Sequence, residues 1–199
     1  FFLYGGQMSI KLKDIASVQM GLGFKNKVEN LQSSTNFVVQ MKDLTEDNEI
    51  DLSTLYGIDP SFVKEKHLIR KDDILFRSRG KNNTAVLVKE EIENIVVASP
   101  LIRIRCSSTI VLPSYVCWLI NHPSSQSLFL SMAKGSSVQM LDKKTLEDFK
   151  IILPTIETQK AIAELDSLSK KEQKLLDELS FKKQLYIDTV LMKMAQKGS

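Results

Sequence analysis

The sequence predicts an α/β chain of the α+β type: a globular body with a curved, mainly antiparallel sheet and short helices, then one long coiled-coil-like helix. Three observations predict it. Short β-branched runs crowd the middle of the chain, each closed by a turn. Helical periodicity is confined to brief stretches over the first 155 residues. From Thr155 to Lys197 no Gly or Pro interrupts the chain, and apolar residues return at helical spacing.

The elements follow in order. IKLKDIASVQMGLGF starts extended, takes a helical turn near Lys13 to Val18, and loosens at Gly21 and Gly23. Asn36 to Met41 reads as a strand. TEDNEIDLSTLYGIDP is acidic and turn-rich, and Ser61 is expected to cap a one- or two-turn helix through Val63 and Lys66. ILF and TAVLV are strands around an RSRGKNN turn. NIVVAS and LIRIRC follow, and Ile102-Arg103-Ile104-Arg105 alternates as a half-buried strand should. Tyr115, Leu119 and Ile120 share a helical face, His122-Pro123 breaks that helix, and Ser125 to Lys134 forms the next. LDKKTLEDF is a short helix and KIILP a strand ending at Pro154.

The long helix begins near Glu157, with Thr155 or Thr158 as its cap. Leu165, Leu168, Leu175, Leu179, Tyr186, Val190 and Met194 form a stripe, interrupted by Glu172 and Lys182 where a strict heptad wants apolar residues. About forty residues make a rod on the order of 60 Å long. A body of this size cannot cover such a rod, so the stripe predicts a partner helix. Leu165, Leu168, Leu175, Leu179 and Tyr186 are its expected contact residues.

Composition narrows the function. The chain has 199 residues, 43% hydrophobic and 26% charged, with a net charge of +3. That balance is globular, and no apolar run reaches the roughly 18 residues of a membrane helix. The mild charge permits nucleic-acid binding without demanding it. Cys106 and Cys117 form no Cys-x-x-Cys pair and predict buried thiols in a reducing cytoplasm. Phe1 to Gln7, ahead of Met8, reads as a non-native remnant.

No Gly-x-Ser-x-Gly, Walker loop or His-Glu-x-x-His occurs. Asp72-Asp73 and Glu90-Glu91 are carboxylate pairs a nuclease could use, but no further residue at fixed spacing supports that, and a solvated turn and a solvated strand end account for them better. His67 and His122 have no partner at metal-ligand spacing, so no metal site is expected. Basic residues do cluster. Arg77, Arg79 and Lys81 stand with Asn82 and Asn83, and no acid occurs from Ile74 to Val88. Arginine pairs with guanine, asparagine with adenine, and lysine neutralises phosphate; an ordinary exposed turn would use the same Gly and Asn. Lys25, Asn26 and Lys27 form a second polar-basic loop. Lys134, Ser136, Ser137 and Gln139 belong to a third, whose small residues and free NH groups suit a phosphate.

The order of these pieces resembles the specificity subunits of type I restriction-modification systems. The segments are IKLKDIASVQMGLGF, RKDDILFRSRGKNN, VVASPLIRIR, PSYVCWLINH, MAKGSSVQMLDKKTLEDFKIILPTIETQKAI and the terminal helix. The resemblance covers Ser9 to Lys197 and is strongest from Ala133 to Ile162. In the family the glutamate usually directly precedes the glutamine at the helix start; here Thr158 stands between Glu157 and Gln159.

The resemblance implies a non-catalytic reader of double-stranded DNA: a target recognition domain at 8–155 and a helix at 156–197 for dimerisation and spacing. Family subunits carry two of each, so this chain looks like a half subunit or one half cut from a whole, pairing through the long helix as a homodimer or with a second half. It implies a modification subunit that binds S-adenosylmethionine and methylates adenine, and a restriction subunit that uses ATP and magnesium. No cofactor is expected in this chain. A stand-alone endonuclease and a protein-binding coiled-coil scaffold are the alternative readings.

Overall fold

A computed structural model describes residues 9–80, 83–132 and 140–197. The strands are β1 (Ser9–Lys11), β2 (Ala16–Met20), β3 (Phe37–Val39), β4 (Tyr56–Gly57), β5 (Ile74–Arg77), β6 (Ala85–Leu87), β7 (Ile95–Val97), β8 (Leu101–Cys106) and β9 (Lys150–Ile152). The α-helices are α1 (Pro113–Asn121), α2 (Pro123–Met132), α3 (Lys143–Glu147) and α4 (Ile156–Lys197). The chain divides into two units, residues 1–160 and 161–199.

The expected class holds, but the single curved sheet is replaced by three small ones among the described residues. β1 pairs with β9, β2-β8-β5-β6 form a four-stranded antiparallel sheet, and β4-β3-β7 form the third. Within the third, β3 runs parallel to β7.

The four-stranded sheet explains its own sequence. Val18, Ile104 and Ile74 lie abreast, as do Met20, Ile102, Phe76 and Ala85. This face meets α2, where the Phe76 and Phe129 rings lie 5.7 Å apart, edge to face. The opposite face turns Leu75, Val86 and Leu101 into a cluster with Val39, Leu44, Ile69, Val88, Ile95 and Val97. Strands covered on both sides read as continuous apolar runs rather than alternating ones, which is what ILF, AVL and IVV are.

That double cover corrects one expectation. The alternation Ile102-Arg103-Ile104-Arg105 does not send its arginines to water: Arg103 is 4% exposed. Other local corrections have local causes. The expected helical turn at Lys13 to Val18 is a 3₁₀ turn over Leu12–Asp14, and the chain then leaves it to pair β2 along the length of β8. The expected strand at Asn36 to Met41 ends at Val39, where Gln40 and Asp43 form a capping box around a new 3₁₀ turn. Asp59, not Ser61, caps the turn at Pro60–Phe62, its carboxylate accepting from the Ser61 NH at 2.7 Å. α2 begins at Pro123 rather than Ser125, since proline suits a first helical position.

α4 starts as expected from Thr155, whose Oγ1 accepts from the Thr158 NH at 3.3 Å. Its root is fixed by Gln159, which is fully buried. The Gln159 amide donates to the Ile110 carbonyl (2.9 Å) and the Pro154 carbonyl (3.0 Å), and its Oε1 accepts from the Leu112 NH (2.9 Å). Within the second unit the stripe residues Leu165, Leu168, Leu175, Leu179 and Tyr186 are 55–71% exposed. No described helix is long and apolar enough to cross a membrane.

Candidate nucleic-acid interface

Three polar loops were singled out by sequence, and their roots lie side by side. Gly21 begins the first. Its NH bonds the Leu101 carbonyl (2.8 Å), and a Cβ there would sit 2.5 Å from the Ala98 carbonyl carbon, so only glycine lets the two chains touch. Leu22 then exchanges bonds with the next segment: its NH reaches the Val97 carbonyl (2.7 Å) and its carbonyl takes the Ser99 NH (2.9 Å). The Ser99–Pro100 peptide is cis. The Ser78 hydroxyl donates to the Pro100 carbonyl, which brings the second loop alongside. Finally Arg79 bridges Met140, and the Leu141 NH donates to the Ser78 carbonyl at 2.8 Å. Gly21–Leu22, Ser99–Pro100, Ser78–Arg79 and Met140–Leu141 are therefore consecutive neighbours.

The individual candidates fare differently. Arg79, Lys25, Asn26 and Lys27 are exposed at this edge. Arg77 is half-buried and its guanidinium is committed. It donates to the Leu44 carbonyl (2.8 Å), the Thr45 carbonyl (2.7 Å), Asn48 Oδ1 (3.0 Å) and Thr84 Oγ1. Burial pushes its pKa down. Asn83 is 4% exposed, and its amide donates to the Arg77 carbonyl at 2.9 Å. Both side chains hold the loop's base in the described conformation. Lys81, Asn82, Lys134, Ser136, Ser137 and Gln139 lie outside the described residues.

Sequence reasoning passed over the neighbouring segment, Lys64 to Lys71. The Phe24 ring, just before Lys25, packs on the Phe62 ring at 5.3 Å. Phe24 and Val28 join Val63 and Leu68 against one core cluster of Val38, Ile58, Val96 and Ala98. The loop carrying Lys25 and Lys27 thus lies against the segment carrying Lys64, Lys66 and His67.

Behind that segment stand the two strand arginines. Arg105 grips both Asp73 oxygens at 2.6 Å, and Asp73 also accepts from the Arg70 NH at 2.8 Å. Arg103 donates to the Leu68 carbonyl (2.8 Å) and to Gln19 Oε1 (2.8 Å). The Gln19 amide nitrogen lies 3.5 Å from His67 Nδ1. Burial, then Lys66, Arg103 and Lys64, lower the His67 pKa. The neutral ring therefore accepts from Gln19 and leaves Nε2–H as a donor.

The carboxylates considered for metal chemistry are otherwise engaged or dispersed. Asp73 is the buried partner of Arg105, and Asp72 sits at φ 67° in a turn, its NH bonded to the Val88 carbonyl at 2.9 Å. Cys117 is buried; Cys106 is part-buried, and burial pushes its thiol up to about 12.

The family described as "Type I restriction modification DNA specificity domain" matches residues 6–180. The type I restriction enzyme MjaVIII specificity subunit of Methanocaldococcus jannaschii is 28% identical over 120 residues, 57% of this chain and 27% of that protein. The EcoBI specificity subunit of Escherichia coli is 29% identical over 120 residues, 58% of this chain and 25% of that protein. The matched stretch thus spans about a quarter of these curated relatives. Two crystal structures share the fold. The HsdS subunit from Thermoanaerobacter tengcongensis has a TM-score of 0.59 at 15% identity, covering 87% of this chain and 39% of that one. The type I S subunit from M. genitalium has a TM-score of 0.57 at 14% identity, covering 90% and 43%. With the family description matching most of its length, the chain belongs to the type I restriction modification DNA specificity domain family.

Proposed function

We propose that this chain is a non-catalytic DNA-recognition module of a type I restriction-modification system. Residues 8–155 read duplex DNA through the aligned loops, and residues 156–197 pair with a second copy or a second half subunit. Two readers held on paired helices recognise a bipartite target with an unread spacer, and identical copies select a palindrome. The observation that carries this reading is the row of adjoining loop roots, Gly21–Leu22, Ser99–Pro100, Ser78–Arg79 and Met140–Leu141, in a chain of this family. Such a row presents several polar loops to one groove.

Arg79, Lys81, Asn82, Lys25, Asn26, Lys27, Lys134, Ser136, Ser137 and Gln139 are the proposed contacts. Arg77 and Asn83 act from behind, by shaping the loop that carries Arg79. The methylation and cleavage chemistry belongs to partners: a modification subunit that takes S-adenosylmethionine, and a restriction subunit that takes ATP and magnesium. The test is selection of duplexes from a random-sequence pool by the full chain, with methylome mapping of cells that hold or lack it. The expected result is a two-part motif and affinity that falls steeply with salt. Binding indifferent to both sequence and salt rejects the proposal.

A further inference from the structure

The basic corner beside the first loop has a charge arrangement the loops do not explain. In its buried layer two guanidiniums, Arg103 and Arg105, share the carbonyl of Leu68. Asp73 is the acid acting on Arg103, and Arg105 already holds both its oxygens. The layer keeps an uncompensated positive charge, although Arg103 is 4% exposed. Its Nε is buried without a hydrogen-bond partner among the described residues. Buried charge is costly unless an opposite charge answers it. In front of this layer His67 presents a neutral ring, and Lys64 and Lys66, just before it in the chain and near enough to lower its pKa, are exposed. Glu65, between them in sequence, is drawn off to Arg70 at 3.3 Å. Lys25 and Lys27 continue the surface across the Phe24–Phe62 contact.

We propose that Lys64, Lys66 and His67, backed by Gln19 and Arg103, form a phosphate-contacting surface that grips the DNA backbone beside the base-reading loops. This rests on the proposed DNA-recognition function and adds to it a division of labour. The Arg79 loop reads bases, and the Lys64–His67 corner fixes the register of the duplex without regard to sequence. Backbone phosphates supply the anion that Arg103 lacks, and field from a cation held in low dielectric reaches further than from one in water.

The test compares the full chain with a Lys64→Gln, Lys66→Gln double variant. Each is titrated by fluorescence anisotropy against the duplex the wild type selects and against a scrambled duplex. Each phosphate contact contributes about 0.9 to the slope of log affinity on log salt, so losing two lowers the slope by about 1.8. From about 50 to about 200 mM salt the variant should then lose about twelvefold less affinity than the wild type. Its preference for target over scrambled duplex should stay unchanged. A Lys42→Gln, Lys89→Gln variant removes the same charge elsewhere and should keep the wild-type slope. Three results overturn the assignment: an unchanged slope in the Lys64, Lys66 variant, an equal drop in the control, or an altered sequence preference, which would make these lysines base readers. Wild-type chain with no salt-dependent duplex affinity would instead defeat the functional proposal, and this surface with it.

Discussion

Arg77→Ala should damage the fold of the reader more than its choice of bases. The guanidinium makes four hydrogen bonds, two to the successive carbonyls of Leu44 and Thr45 and two to Asn48 and Thr84. It thereby ties the acidic 44–48 turn to the loop after β5. Bonds from a charged donor contribute about 1.5–3 kcal/mol each, so four would sum to at least about 6 kcal/mol. The side chain is only half-buried, however, so water refills part of the space and re-solvates the carbonyls. A net loss of about 2–4 kcal/mol is expected. With a urea m-value of about 2 kcal/mol per molar, the midpoint should fall by about 1–2 M. Because Asn83 binds the Arg77 carbonyl, which the substitution retains, the loop's far end should stay in place. The assay is urea unfolding followed by circular dichroism, paired with duplex selection on the folded fraction. Native stability with preference relaxed at a single base position would refute the reasoning and make Arg77 a reader.

Other outcomes follow from named contacts. Gln159→Leu removes three hydrogen bonds at the root of α4 and strands the Leu112 NH; it should cost about 2–3 kcal/mol, with Leu112 amide exchange accelerating. Unchanged exchange would show that water replaces the amide. Asp148 is held below its ordinary 3.8, at about 2, by the ammonium groups of Lys11 first and Lys13 second. A depressed carboxyl favours the folded state above its unfolded pKa, and this contribution disappears as pH falls from 3.8 toward 2. Carboxyl NMR should find the midpoint near 2 in low salt and higher in Lys11→Gln; a wild-type midpoint at 3.8 refutes the pairing. Leu175→Glu puts a carboxylate into the proposed helix seam. At about 3 kcal/mol this weakens association about a hundredfold, which sedimentation would read; persistent dimer rejects the seam.

What could be read in the sequence was local, and what could not was long-range. The apolar runs ILF, IVV and LIRIRC are strands because both propensity and period point one way. The long helix was legible for the same reason: forty-odd positions without a breaker leave few alternatives. Sheet membership was not, because β3 finds β7 in parallel across residues that carry no local signal for the pairing. Arg77 and Arg79 look alike in sequence. Arg77 ends a strand abreast of Leu101 on a covered face, while Arg79 lies beyond the strand at the edge. Parity alone could not separate them, because burial on both faces removes the alternation that parity depends on. The Asp59 cap was missed although Pro60 marks the first helical position and so points to the residue before it. Lys64 and Lys66 were visible as charges; what was missing was the Phe24–Phe62 contact that sets them beside the first loop.

Under the proposed function, the contacts also explain how one frame could carry different specificities. The groups that fix the loop roots point inward: Ser78 to Pro100, Arg77 to the 44–48 turn, Asn83 to Arg77, Leu141 to Ser78. The groups at the edge, Arg79 and Lys25 to Lys27, are not among these ties. If the tips read bases as proposed, replacing a tip residue would change what is offered to a base without breaking a buried hydrogen bond, and surface changes of that kind cost little stability. Replacing a root residue does the reverse. A module organised this way can vary its target by exchanging tips while its core, its loop alignment and its helix root at Gln159 stay constant. The physical requirement is that the four root segments remain neighbours. Gly21 carries that requirement most sharply, since any side chain there collides with the Ala98–Ser99 peptide and separates the first loop from the second.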